Sequence, residues 1–253
     1  MTQQEALFHY CLRLGDNALI LGQRLSEWCG HGPVLEEDIA MSNMSLDLIG
    51  QARGFLTYAG EVEGKGRSED QLAFLRGERE FTNFLLLEQP NGDFASTMMR
   101  SFLYGCFAYL QFRSLLNSKD ETISGLAAKS LKEVTYHVRH SGEWIVRLGD
   151  GTEESNQRTK DALLDLWSYT NELFENDKVI AILADAGIGV NPLSFRDEWL
   201  SMVKEIFAKA TLEIPVSTVY QATGGIKGLH TEHLGHLLTE MQYLQRTYPN
   251  ASW

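Results

Sequence analysis

Residues 132–137 read KEVTYH, and these six positions decide how the chain is read. They lie on a helical stripe in which Ile123, Ala127, Ser130, Val134, His137, Ser141, Trp144 and Leu148 follow one another at alternating spacings of four and three. That spacing places all eight on one side of a helix and points His137 toward a core. A helix that supplies half of a carboxylate-bridged di-iron site carries Glu-x-x-His, with both ligands on one face. Here the residue three before His137 is Val134, and the available glutamate, Glu133, sits four before. Glu133 is rotated by about 100° from Val134 around the helix and does not take its place. The hexapeptide is either an ordinary helix with one buried histidine or a metal-site helix without its carboxylate.

Helical periodicity extends outward from this stretch in both directions. Leu7, Cys11, Leu14, Ala18, Leu21, Leu25 and Trp28 form a first stripe, closed by CGHGP (29–33) with its two glycines and proline. A second helix is predicted over 35–59, with Ile39, Leu46, Ile49, Ala52 and Leu56 sharing its core side and GEVEGKG closing it. A third is predicted over 69–88, stopping before Pro90. PNGD reads as a turn with Asp93 as the N-cap of a fourth helix, whose stripe runs Phe94, Met98, Phe102, Gly105, Tyr109, Phe112 and Leu116. After the helix containing KEVTYH, further helices are predicted near 154–175, 177–186, 195–212 and 230–247. No alternating β-branched run, low-complexity tract or linker interrupts the series. The expectation is an all-α helical bundle in a single domain over 1–253.

Composition narrows the function class. With 253 residues, 43% apolar and 22% charged, the chain has material for a substantial core. A formal net charge of −12 argues against nucleic acid and against an anionic membrane surface, since both need clustered cations. No basic segment followed by an apolar stretch opens the chain, and no apolar run reaches membrane-spanning length. Cys11, Cys29 and Cys106 are too scattered for a disulfide framework or a zinc site, which fits a reducing cytoplasm.

Other clusters are weaker. In GLHTEHLGHLLTEMQYLQR (228–246), His230, His233 and His236 advance by about 300° per step and fan out rather than converge. Glu232 with His236, and His236 with Glu240, are i,i+4 pairs suited to an exposed helix face. ATGGIKGLH (222–230) is glycine-rich but lacks a P-loop ending and follows no strand, so it reads as a loop entering the last helix. His140 lies three residues after His137, without acidic partners.

Five stretches carry a family resemblance: LRLGDNALILGQRLSEWCGHGP, SLDLIGQARGFLTYAG, FTNFLLLEQPNGDFA, KEVTYHVRHSGEWIVRLGDGT and GGIKGLHTEHLGHLLTEMQYLQR. In order and over nearly the whole chain, they resemble the C-subunit family of bacterial phenylacetyl-CoA 1,2-epoxidase. The resemblance implies a ferritin-like helical bundle with additional C-terminal helices. It implies a component of an NADPH-dependent monooxygenase of aerobic phenylacetate degradation, which epoxidises the ring of the CoA thioester. In that family the catalytic A subunit, a paralogue, holds the di-iron centre, a reductase supplies electrons, and the C subunit is structural.

The resemblance also places the ligand positions. The A subunit's Lys-Glu-Glu-x-Phe-His pattern lies over KEVTYH, keeping the histidine as His137 and putting Val134 where the glutamate stands. Its Asp-Glu-Ala-Gly-His pattern over SLDLIGQAR puts Ile49 and Ala52 at the glutamate and histidine positions. A shift of two would bring in Asp47, with Gly50 where a histidine is needed. The expectation is therefore a chain with no catalytic residue, no cofactor and no metal of its own, docking on the di-iron A subunit and the other subunits. For the chain alone a homodimer stays open. Phe55, Tyr58, Phe84 and Phe107 are the candidate outward apolar contacts, and Lys129, Lys132, Arg139 and Arg147 are read as a solvated basic face. The alternative is an oxygenase subunit with its own iron near His137, using Glu133, or using His230 and His233 with Glu232.

Overall fold

The computed structural model describes residues 1–215, 220–249 and 251. Among these there are ten α-helices and no strand: α1 (Gln3–Ser26), α2 (Leu35–Glu63), α3 (Glu69–Phe74), α4 (Leu85–Glu88), α5 (Phe94–Leu115), α6 (Glu121–Gly149), α7 (Glu153–Trp167), α8 (Lys178–Ala186), α9 (Arg196–Lys209) and α10 (Glu232–Thr247). The chain divides into two compact units. One comprises residues 1–90 and 223–253, the other 91–222. Each is built on one long helical hairpin, α1 with α2 and α5 with α6, so the element content is that of a ferritin-like all-α chain with additional C-terminal helices.

In the first unit α1 is enclosed along most of its length, with Leu7, Cys11, Leu14, Ala18, Leu21 and Leu25 all buried. It can lie close against α2 because two glycines, seven residues apart, face that helix. A Cβ on Gly15 would stand 2.8 Å from Leu56, and one on Gly22 3.3 Å from both Leu48 and Ile49. Ser45 donates its hydroxyl to the Gly22 carbonyl at 2.8 Å, tying the helices at the same level. As the pairing moves from Gly15 to Gly22 it moves back along α2, so the hairpin is antiparallel.

The core face of α2 differs from the one the stripe predicts. Met41, Met44, Leu48, Ala52, Phe55 and Ala59 point inward. Ile39, Leu46 and Ile49 lie on the outer side, 52%, 65% and 36% exposed. The helix carries two apolar faces, and the α1 glycines select the one with Leu48 and Leu56. Phe55, Phe84 and Phe107, expected to face outward, are core residues, and Tyr58 is half-buried.

The helix predicted over 69–88 is broken into α3, a 3₁₀ turn over Glu78–Glu80, an extended stretch and α4. The cause is a buried polar anchor on α1. The Asp16 carboxylate accepts from both terminal nitrogens of Arg76, from the Thr82 amide at 2.9 Å and from the Thr82 hydroxyl at 3.1 Å. Asn17 accepts from the Phe84 amide at 2.8 Å. Backbone groups of 82 and 84 that a helix would have paired internally are thus drawn to α1. Arg76 also lies over the Phe81 ring, 4.2 Å from its centre.

The second unit is built more as the periodicity predicts. Asp93 caps α5 through the Ser96 amide, and Asp120 caps α6 through the Ile123 amide, each at 2.9 Å. The α5–α6 hairpin is antiparallel, with Gly105 against Val138 and Gly142 against Phe102. The predicted helix over 154–175 ends at Trp167, and Thr170–Phe174 continues as 3₁₀.

Replacing Gly15 with valine is expected to destabilise the chain by about 1–3 kcal/mol, because the added carbons overpack the Leu56 contact. Urea unfolding followed by circular dichroism measures it, and an unchanged midpoint would contradict the close approach as the reason for glycine.

Candidate functional site

On α6 the stripe holds through its first five turns. Ile123, Ala127, Ser130, Val134, His137 and Ser141 are buried, and burial then passes to Ile145 and Gly149 while Trp144 and Leu148 are half-exposed. Val134 is 2% and His137 4% exposed. Ser141 donates to the His137 carbonyl at 2.7 Å, and the Tyr136 ring meets the imidazole edge-on. Glu133 sits to the side and faces Lys129 at 3.8 Å.

A bridged iron pair needs four to six donors, carboxylates foremost. Among the described residues no three His, Cys, Asp or Glu side chains converge as a metal site. The surroundings of His137 therefore do not fit an iron centre. On α2 Ala52 is buried, whereas Ile49 is on the outer side of the helix, packed against Gly22. The inward i,i+3 pair in this turn is Leu48 and Gln51, both buried. Val134 and Ala52 are therefore buried apolar residues, and Ile49 is partly exposed.

The cations placed on α6 behave as a solvated face. Arg139 and Arg147 are exposed and lie over the rings of Tyr136 and Trp144. They edge a cavity of about 450 Å³ in the second unit, floored by Phe102, Cys106, Val138, Met202 and Ile206. Burial pushes the Cys106 thiol well above its ordinary range, so it stays protonated and is a poor nucleophile.

The most organised polar site is one that the spacing of the histidines did not reveal. The side chains of His230 and Glu88 are sealed in the first unit, each 0% exposed, with Nδ1 of the imidazole 2.8 Å from Oε2 of the carboxylate. Oε2 also accepts from the Asn83 amide at 2.9 Å. Oε1 accepts from the Thr231 amide at 2.6 Å and its hydroxyl at 2.7 Å. On the far side of the ring Nε2 meets the Phe81 carbonyl at 2.9 Å.

Those partners fix the proton count. A carbonyl only accepts, so Nε2 carries a hydrogen. Nδ1 and Oε2 then need a proton between them, on the imidazole or on the acid. Either way the pair holds one proton and no net charge, which is how two titratable groups remain in a core. The carboxylate also stands at the first turn of α10, where the positive end of the helix dipole favours it.

Chain geometry brings these groups together. Gly228 has φ +72°, and a Cβ on it would lie 2.3 Å from the Arg79 carbonyl oxygen, so only glycine lets the 224–230 loop approach the 78–81 segment. Arg24 of α1 donates to the Glu88 carbonyl from Nε and Nη2, at 3.2 and 2.7 Å. With its acceptors filled and solvent excluded, the node works as a clamp. His233 is half-buried and His236 exposed, so of the three histidines in 228–246 only His230 enters the core. A charged residue inside the apolar run FLLLEQP was the available signal.

Comparison with known proteins agrees with this architecture. A family model described as phenylacetic acid catabolic protein matches residues 1–253. The chain is 50% identical over 244 residues, 96% of its length and 98% of the relative's, to a protein named as the C subunit of 1,2-phenylacetyl-CoA epoxidase from Escherichia coli (strain K12). The chain belongs to the phenylacetic acid catabolic protein family.

Truncating either member of the buried pair leaves the other without its partner. Glu88→Ala and His230→Ala are each expected to cost about 3–5 kcal/mol, while His236→Ala stays within about 0.5 kcal/mol. Thermal and urea unfolding of the three variants makes the comparison, and equal effects at positions 230 and 236 would contradict the clamp.

Proposed function

We propose that this chain is a structural subunit of a 1,2-phenylacetyl-CoA epoxidase and leaves the chemistry to a paralogous subunit. In this reading the paralogue holds the di-iron centre, binds the CoA thioester and activates oxygen, and a reductase delivers electrons from NADPH. The chain itself carries no catalytic residue and no cofactor, and acts as one ferritin-like domain of a cytoplasmic hetero-oligomer.

The observation that carries the reading is Val134. It is buried at 2% exposure, three residues before His137 in an apolar stripe of a chain half identical to an epoxidase C subunit, and in this reading it takes the place of a ligand carboxylate. Clustered buried carboxylates are tolerable around a dication, and without metal each uncompensated charge costs on the order of several kcal/mol. A buried valine instead contributes roughly 1.5–3 kcal/mol of hydrophobic stabilisation. His137 remains as a packed residue beside it. No helix among the described residues is long and apolar enough to cross a membrane, which is compatible with a complex working on a CoA thioester in solution.

The alternative, an iron site of this chain's own at His137, makes a different demand on the same residue. The test is co-expression with the catalytic paralogue and reductase, followed by turnover of phenylacetyl-CoA. The paralogue is expected to be insoluble or inactive alone and active with this chain. His137→Ala is expected to lower the melting temperature of this chain, at a cost of about 1–3 kcal/mol, with kcat of the assembled complex unchanged. Full activity of the paralogue alone would overturn the structural role. Loss of kcat in a normally folded His137→Ala complex would favour the iron site.

A further inference from the structure

The outer face of α2 presents a largely exposed apolar stripe. Leu35, Ile39, Ser42, Leu46, Ile49 and Arg53 follow at spacings of 4, 3, 4, 3 and 4, the interval that keeps side chains on one seam. Leu35 is 72%, Ile39 52% and Leu46 65% exposed. The opposite face of the same helix forms the core, so Leu35, Ile39 and Leu46 add little to the first unit, while Ile49 at the edge of the stripe packs against Gly22. Four large aliphatic residues in register on a surface helix mark a contact surface.

We propose that this stripe is the seam at which two copies of the chain pair antiparallel through α2. In that direction the stripe pairs with itself about a single level of the helix. If residue 44 lies on the two-fold axis, positions that sum to 88 face each other. Ile39 then meets Ile49 of the second copy, Ser42 meets Leu46, and Leu35 lies along the aliphatic stem of Arg53. Each contact occurs twice, as an isologous interface requires.

Charge selects the same arrangement. The first turn of α2 carries Glu36, Glu37 and Asp38, and its last turn carries no cation. Arg53 ends the stripe with its side chain 76% exposed. A parallel pair would set the two acidic turns side by side, whereas the antiparallel pair sets each against an arginine of the other copy. Arg53 bonds Glu69 of its own chain through Nε at 3.2 Å, and its guanidinium retains further N–H donors for the partner. From Leu35 to Arg53 the seam is about 27 Å long. A single helix pair of that length falls below the roughly 800 Å² per partner of a standard stable interface, so the dimer is expected to dissociate on dilution. The proposal does not rest on the subunit reading.

Sedimentation velocity of the purified chain over a wide concentration range tests it. The native chain should pass from monomer to dimer with concentration. Leu46→Glu should weaken the dimer about a hundredfold, since the loss is counted twice at a two-fold interface. Arg53→Glu should weaken it less, and adding Glu36→Arg to that variant should restore it. All these positions are solvent-facing, and circular dichroism should be native in each variant. A chain that stays monomeric at every concentration would overturn the proposal, as would a dimer indifferent to Leu46→Glu or an Arg53→Glu defect that Glu36→Arg fails to repair. Leu46→Glu abolishing capture by the catalytic paralogue while leaving the dimer intact would assign the seam to that paralogue instead.

Discussion

A carboxylate taken out of water must have its acceptor positions filled, and the first unit is arranged around two carboxylates that obey this rule. Asp16 is surrounded by Arg76 and Thr82, Glu88 by Asn83, His230 and Thr231. Each draws chain from elsewhere onto the α1–α2 hairpin. Asp16 pulls the 76–84 segment out of helical geometry, and Glu88 fixes the start of α10 beside α4. Buried groups with complete partners rigidify a core, whereas half-satisfied ones destabilise it. In the second unit the same rule reads in reverse. On α6 the buried position three before His137 is Val134, which needs no counter-charge.

The long helices were legible because their apolar spacing, caps and breakers agree. Asp93 and Asp120 cap where the sequence suggests, and the stripe from Ile123 to Ser141 is the buried face of α6. Two features were not legible, for different reasons. On α2 both faces are apolar, so periodicity cannot say which is core. That choice is made by Gly15 and Gly22 on another helix, through approach distances that no pattern within α2 encodes. The break in the 69–88 segment is likewise set from outside, by Asp16 and Asn17 some sixty residues earlier. Local helix preference yields there to tertiary hydrogen bonds.

The candidate site divides in the same way. His137 and Val134 were placed correctly on the inner face, because their helix has one clear apolar side. His230 was misjudged because it precedes α10 rather than riding on it, so the helical rotation of about 300° that would separate it from His233 does not apply. Its partner Glu88 is 142 residues away in sequence. What marks both acids is their setting, Asp16 in LGDNALIL and Glu88 in FLLLEQP. A charge inside an apolar run signals a paired buried group in a folded chain.

The reading proposed for this chain gives it the scaffold of an iron-binding bundle and no iron of its own. Metal content, measured by mass spectrometry on the chain purified alone and again after anaerobic reconstitution with Fe(II), addresses that claim without reference to any partner. Iron near zero is expected in both samples. About two irons per chain, the complement of a bridged carboxylate centre, would contradict it and would return the chain to the class of oxygen-activating enzymes.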